Sequence, residues 1–281
     1  MNQNKIYFNN IFQNLNLLSH AIKQSESQLK QIQKKYLVNT NGRGRNCAIA
    51  GQKYELKVWN VVNKLKFNGI DFNTQKEDEI AGFSNKNDIE CNLTIDKKIG
   101  IELKKSGTPD WMQCSIKYNI ENKVWYIPEK GKIPSECKKI FSELIKEITL
   151  FEGGVPPFIN NKITHEEWVK IKSSTKQWND IYLDIPHTTI RDLYKIKGCY
   201  YIQLSDFGLF HLGEDVCNFN VPEFIIDQQI RIRTKIHSRS KGGFCHLSVM
   251  AACQPKDLSK ISKSKFSLDC ESKLPINLKK I

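Results

Sequence analysis

Residues 99–104, Ile-Gly-Ile-Glu-Leu-Lys, alternate apolar and polar side chains with the period of two that gives an extended strand two distinct faces. Ile101 and Leu103 then share a buried face, and Glu102 and Lys104 point together on the opposite one. A second short segment, Asn87-Asp88-Ile89-Glu90, precedes this run, and Lys97-Lys98-Ile99-Gly100 is the turn expected between them. The pattern predicts a β-hairpin that brings Asp88, Glu102 and Lys104 to one spot.

Two carboxylates at one spot are a natural seat for Mg²⁺, a hard cation that takes few carboxylates and keeps several waters. The order of acid, gap, then acid-x-Lys on the next strand resembles the PD-(D/E)XK nuclease superfamily, with Asp88, Glu102 and Lys104 at the matching positions. The proline of that motif is absent, and Asn87 stands there. The resemblance implies that Asp88 and Glu102 hold Mg²⁺ and that Lys104 positions or activates the attacking water and offsets charge on the phosphoryl oxygens. Upstream, Tyr54, Val58, Val61, Val62 and Leu65 have the spacing of one helical face, which predicts a helix over 51–65. Many nucleases of the superfamily open with such a helix and use its glutamate as an extra acid, and Glu55 is the position that matches. An ordinary exposed glutamate is an equally good account of Glu55. Downstream, Lys105 to Met112 read as a turn-rich loop, and several such nucleases carry a glutamine where Gln113 stands, able to orient water or phosphate.

The chain of 281 residues carries 43 Lys and Arg against 30 Asp and Glu, a net +13 that favours a polyanionic partner. Between 231 and 265 there are nine basic residues and one acid, Asp257, so +8 of that charge is concentrated there. Arg231, Arg233, Lys235 and His237 alternate with Ile232, Thr234 and Ile236, which predicts a strand with a cationic rib over an apolar back. Four such side chains in a row repel one another unless an anion lies against them, and duplex DNA is the expected one. Arg239 and Lys241 fall in a basic loop beyond the rib, and the tract from Lys256 to Lys265 reads as a basic arm.

Ile11, Leu15, Leu18, Ile22, Leu29, Ile32 and Tyr36, with Ser25 in the one polar slot, step by fours and threes, a heptad seam that either packs on its own domain or pairs two copies as a homodimer. Asn41-Gly42-Arg43-Gly44-Arg45-Asn46 then reads as a linker or as an arm placing Arg43 and Arg45 in a minor groove. The nine cysteines include no Cys-x-x-Cys pair, which argues for reduced thiols rather than a disulfide framework. No apolar run is long enough to span a bilayer and the first residues lack a signal peptide's apolar stretch, so a soluble, cytoplasmic protein is expected with no membrane partner.

These readings give an α+β chain: an N-terminal helical segment over 1–40, a catalytic core over 41–150 with a mixed β-sheet flanked by helices as in restriction endonucleases, and a strand-rich basic region over 151–281. Within the superfamily this layout most resembles type II restriction endonucleases, which implies a Mg²⁺-dependent enzyme cutting double-stranded DNA. A structure-specific nuclease of repair or recombination is one alternative, and a non-enzymatic DNA-binding protein is another.

Overall fold

The computed structural model describes residues 43–76, 87–108, 110–130, 133–146, 149–156, 163–239 and 243–280. The chain divides into two units, Met1–Ala48 and Ile49–Ile281. Of the first, only the opening of a helix is described, and the heptad seam at 11–36 lies outside the described residues. In chain order the elements are α1 (Arg43–Val62), β1 (Leu65–Phe67), β2 (Ile70–Asp71), β3 (Ile89–Asn92), β4 (Lys98–Lys104), β5 (Met112–Asn119), β6 (Val124–Tyr126), α2 (Ser135–Lys146), β7 (Ile163–Thr164), α3 (His165–Ser174), β8 (Ile181–Ile185), α4 (Thr189–Ile196), β9 (Cys199–Leu204), β10 (Gly208–His211), β11 (Gln228–Arg239), β12 (Phe244–Pro255) and β13 (Leu278–Lys280).

Tyr54, Val58 and Val62 are buried at steps of four along α1, as the apolar stripe requires. The helix nevertheless begins at Arg43, not at 51, so the Gly-Arg stretch is its first turns and not a linker. Once the packed part of a helix has formed, each further residue adds a hydrogen bond for one residue fixed, enough to carry the helix back across Gly44.

The expected hairpin is present, with β3 and β4 antiparallel and Ile89 opposite Ile101. Its turn is not at 97–100, where Lys98–Gly100 already belong to β4. It lies at 93–97, closed by the Leu93 N–H to Lys97 carbonyl bond of 2.8 Å and by the Lys97 N–H to Thr94 hydroxyl bond of 3.1 Å. Thr94 can close the turn through its side chain, which the lysines cannot. Beyond β4 the sheet continues with β9, parallel to it, and then β10, antiparallel to β9, in the order β10-β9-β4-β3. This mixed sheet has a core on each side. Ile99, Ile101 and Leu103 pack with the α1 stripe, Tyr201 and Leu209, whereas Cys199, Ile202 and Leu204 pack with Ile190, Leu193 and Tyr194 of α4.

A second sheet, β6-β5-β12-β11-β8, shares the core that contains α4, together with α2 and Trp168 of α3. Because β4 pairs with β9 and β5 with β12, both sheets draw strands from either side of residue 150. The tract 256–265 is not a projecting arm. Ile261 is buried, the Ser264 N–H donates to the Phe207 carbonyl at 2.8 Å, and Leu209 N–H reaches the Phe266 carbonyl at 2.8 Å just beyond it. Apolar residues spaced among the lysines anchor the segment while the charges face water. The architecture is thus α+β, with four α-helices among the described residues. No helix among these residues is long and apolar enough to cross a membrane, and all nine cysteines are free thiols.

Candidate active site

Glu102 stands in the middle of β4 and is only 3 % exposed, an unusual position for a carboxylate that lacks partners. It has two. Lys104 Nζ lies 2.5 Å from Oε1 and Lys197 Nζ lies 3.1 Å from Oε2. Lys104 shares the strand face of Glu102 two residues on, as the alternation requires. Lys197 arrives by a longer route. It follows α4, whose buried Ile190, Leu193 and Tyr194 hold the helix against the sheet. Gly198 then adopts φ +81°, a left-handed conformation that suits glycine, and its carbonyl accepts from the Gly100 N–H at 2.8 Å. That bond helps seat β9 beside β4 and brings Lys197 over the middle of the strand. Both ammonium groups also lie 5.5 Å from the centre of the Tyr194 ring.

Asp88 sits immediately before β3, partly buried, and its Oδ2 accepts the backbone N–H of Leu103 at 2.8 Å. Burial, together with the charges of Glu102 and Glu55, pushes its carboxyl up to about 7 against the pull of Lys104 and the Leu103 N–H. Glu55 on α1 belongs to the same electrostatic group: burial raises its carboxyl, Lys104 opposes the rise and Glu102 adds to it. Burial would also raise Glu102, but Lys104 and Lys197 together hold it below the usual carboxylate range. With every group ionised the three carboxylates and two ammoniums sum to −1, and the raised Asp88 and Glu55 carboxyls are the ones that relieve it by taking up a proton. Among the described residues no group of three or more His, Cys, Asp or Glu side chains is arranged as a metal-ligand cluster.

For Asp88 a folded-state value of about 7 against an ordinary 3.8 means that the folded protein binds this proton more tightly than the unfolded chain. The ionised form therefore opposes folding at pH 8, and that opposition fades as pH falls through about 7 towards 3.8. Asp88→Asn keeps an acceptor for Leu103 and removes the charge, so thermal melts without metal are expected to show a variant more stable at pH 8 by about 1–3 kcal/mol, with the advantage shrinking by pH 5.

Asn87, in the place of the motif's proline, has a structural task of its own. Its side chain lies against Gly100, where an added Cβ would come 2.3 Å from Nδ2, and its Oδ1 is 3.1 Å from Cys199 Sγ. Gly100→Ala is expected to displace Asn87 and with it the adjoining Asp88, lowering Tm by several degrees with little change in circular dichroism.

The structure thus brings Glu55, Asp88, Glu102 and Lys104 together and adds Lys197 and Tyr194, which the sequence reading did not single out. Gln113 is not in this group. It is exposed on β5, opposite Ala252 in the second sheet, and among the described residues none of the cluster's hydrogen bonds or ion pairs involves it. The alternation at 231–236 is realised on β11, with Ile232 and Thr234 buried, but the register shifts between Ile236 and Ser238, which breaks the alternation at His237. The rib also has anions of its own. Arg231 is bridged to Asp180 at 2.5 Å and to Asp110 at 3.3 Å, and Arg233 to Asp110 at 2.9 Å. Like-charge repulsion there is relieved within the protein, so it does not by itself require DNA. Lys235 is partly buried beside them. The side chains of His237, Arg239, Lys241, Arg43 and Arg45 lie outside the described residues.

Compared with protein-family models, curated proteins and solved structures, the chain matches none.

Proposed function

We propose that the Asp88, Glu102 and Lys104 cluster is the centre of a Mg²⁺-dependent deoxyribonuclease that hydrolyses phosphodiester bonds in double-stranded DNA, after the manner of a type II restriction endonuclease. The observation that carries this reading is the convergence of charge from three separate elements: Glu55 from α1, Asp88 from the start of β3, and Glu102 with Lys104 from β4. Carboxyls raised by burial and by one another beside two ammonium groups mark a candidate functional site. The reading is also supported by the hairpin of β3 and β4 with α1 ahead of it, the two elements that the nuclease resemblance implies.

Asp88 and Glu102 would hold Mg²⁺, which when bound supplies Lewis-acid polarisation of the phosphate and lowers the pKa of water. Lys104, kept charged by Glu102, orients the attacking water and meets the negative charge that grows on the phosphoryl oxygens. Glu55 adds negative potential that favours the cation and tunes the protonation of Asp88. Each oxygen of Glu102 carries one ammonium, Lys104 on Oε1 and Lys197 on Oε2, so a cation held by Glu102 would share that carboxylate with them, and Lys197 would add a second positive charge near the substrate phosphate.

Digestion of a methylation-free phage genome in Mg²⁺ tests this reading. Discrete fragments with a common end sequence support a sequence-specific endonuclease. A smear, or cutting confined to forks and nicks, points to a structure-specific nuclease of repair or recombination. Intact DNA that is shifted in mobility supports a non-enzymatic binding protein instead.

A further inference from the structure

Between α3 and β11 the surface opens into a cavity of about 540 Å³ whose lining includes Trp168, Val169 and Lys172 from the helix and Arg233, Thr234, Lys235 and Ile236 from the strand. Its position follows from the sheet. β8 pairs with β11 only from Gln228 to Ile232, so beyond Ile232 the strand leaves β8, and the helix stands beside the cavity instead. Among the described residues three of the lining side chains are cationic and none is acidic, Arg233 being paired with Asp110 at 2.9 Å, while Trp168, Val169 and Ile236 supply an apolar wall. Two polar atoms at the cavity residues, Arg233 Nε and Thr234 Oγ1, are buried with no hydrogen-bond partner among the described residues. Thr234 itself is 8 % exposed. Buried polar groups without partners are uncommon in native proteins and call for a reason.

We propose that this cavity receives a single unpaired nucleotide of a DNA strand, its base against the Trp168, Val169 and Ile236 wall and its phosphate against Lys172, Arg233 and Lys235. The combination of chemistries selects the occupant. Phosphate complements a basic lining that contains no carboxylate, and every base offers an apolar face together with polar edge groups for Thr234 and Arg233. The volume lies within the range of about 300–1,000 Å³ typical of small-ligand sites. An apolar peptide would leave Lys172 and Lys235 unanswered, Arg233 being paired with Asp110, and a bare duplex backbone would leave the apolar wall unused. The inference rests on the reading that DNA is the partner, and it does not depend on cleavage.

The test is an equilibrium titration, in Ca²⁺ so that no cutting intervenes, of the full chain against two duplexes carrying 2-aminopurine. In one the 2-aminopurine is paired with thymine, and in the other it is bulged. The wild type is expected to bind the bulged duplex about tenfold more tightly, with a change in 2-aminopurine fluorescence that reports a new environment for the base. Val169 is half exposed, so Val169→Trp fills the cavity from a position where a large side chain is tolerated. That variant is expected to lose the preference while holding its affinity for the paired duplex within about twofold. Lys172→Glu, on the other side of the lining, is expected to lose the preference as well. Equal affinity of the wild type for the two duplexes overturns the proposal. So does a preference that survives in both variants, or tight binding of free dAMP with no preference between the duplexes. Absence of cleavage in Mg²⁺ would contradict the nuclease reading and leave this result standing.

Discussion

Lys104→Gln is expected to reduce cleavage about 10²–10⁴-fold, measured under single turnover with saturating enzyme. Lys104 is half-buried against Glu102 and its ammonium is held well into the charged form, against the effect of burial, by Glu102 first and then by Tyr194 and Asp88. A base with that environment does not release its proton near neutral pH. Its contribution is therefore a fixed positive charge and a hydrogen-bond donor aimed where negative charge develops. Glutamine retains a donor for Glu102 and removes the charge, so the variant is expected to fold, and in Ca²⁺ to bind DNA within about threefold of wild type. Undiminished cleavage by this variant would exclude the role assigned to Lys104.

Lys197→Met is expected to have the largest effect on stability. The lysine side chain is 6 % exposed and its partner Glu102 is 4 % exposed. Removing the lysine leaves Glu102 with Lys104 as its one ion-pair partner among the described residues and takes a positive charge out of the cluster, at a cost of up to about 3 kcal/mol, or a fall in Tm on the order of 6–12 °C. Glu102 can limit the loss by taking up a proton, so the deficit should be smaller at pH 5 than at pH 8. In the wild type the sign is opposite: Glu102 is held below its ordinary 4.5, so its contribution is complete above that value and is lost as pH falls through the lower folded-state value. The informative arm is metal. If a divalent cation takes the place of Lys197 at Glu102, then Mg²⁺ at about a hundred times its dissociation constant restores about 2.7 kcal/mol to the variant. Melting curves with Mg²⁺ and with EDTA measure this directly, and a Tm that ignores Mg²⁺ would mark the cluster as structural.

How much of the centre was legible in the sequence depended on distance along the chain. The hairpin and the shared face of Glu102 and Lys104 follow from a period of two over six residues, a local property that tertiary packing here reinforced. Glu55 was placed by the apolar stripe of its helix. Lys197 was out of reach because it meets Glu102 across 95 residues, through the parallel pairing of β9 with β4. The one local signal for it was a helix ending at Lys197-Gly198 just before a strand, which marks a turn but not what the turn faces. The arginine rib shows the same limit from the other side. Its alternation was visible, but its partners Asp180 and Asp110 stand 51 and 121 residues from Arg231, so the charge looked unanswered. At Gly44 and at Lys256–Lys265 composition suggested a linker and an arm, and packing of the neighbouring apolar residues overrode it.

The most direct test of the account is cleavage of supercoiled plasmid by the wild type and by Glu102→Gln, each in Mg²⁺ and in EDTA. Nicked or linear product from the wild type in Mg²⁺ alone is the expected result. Equal cleavage by Glu102→Gln, or cleavage that persists in EDTA, would contradict it.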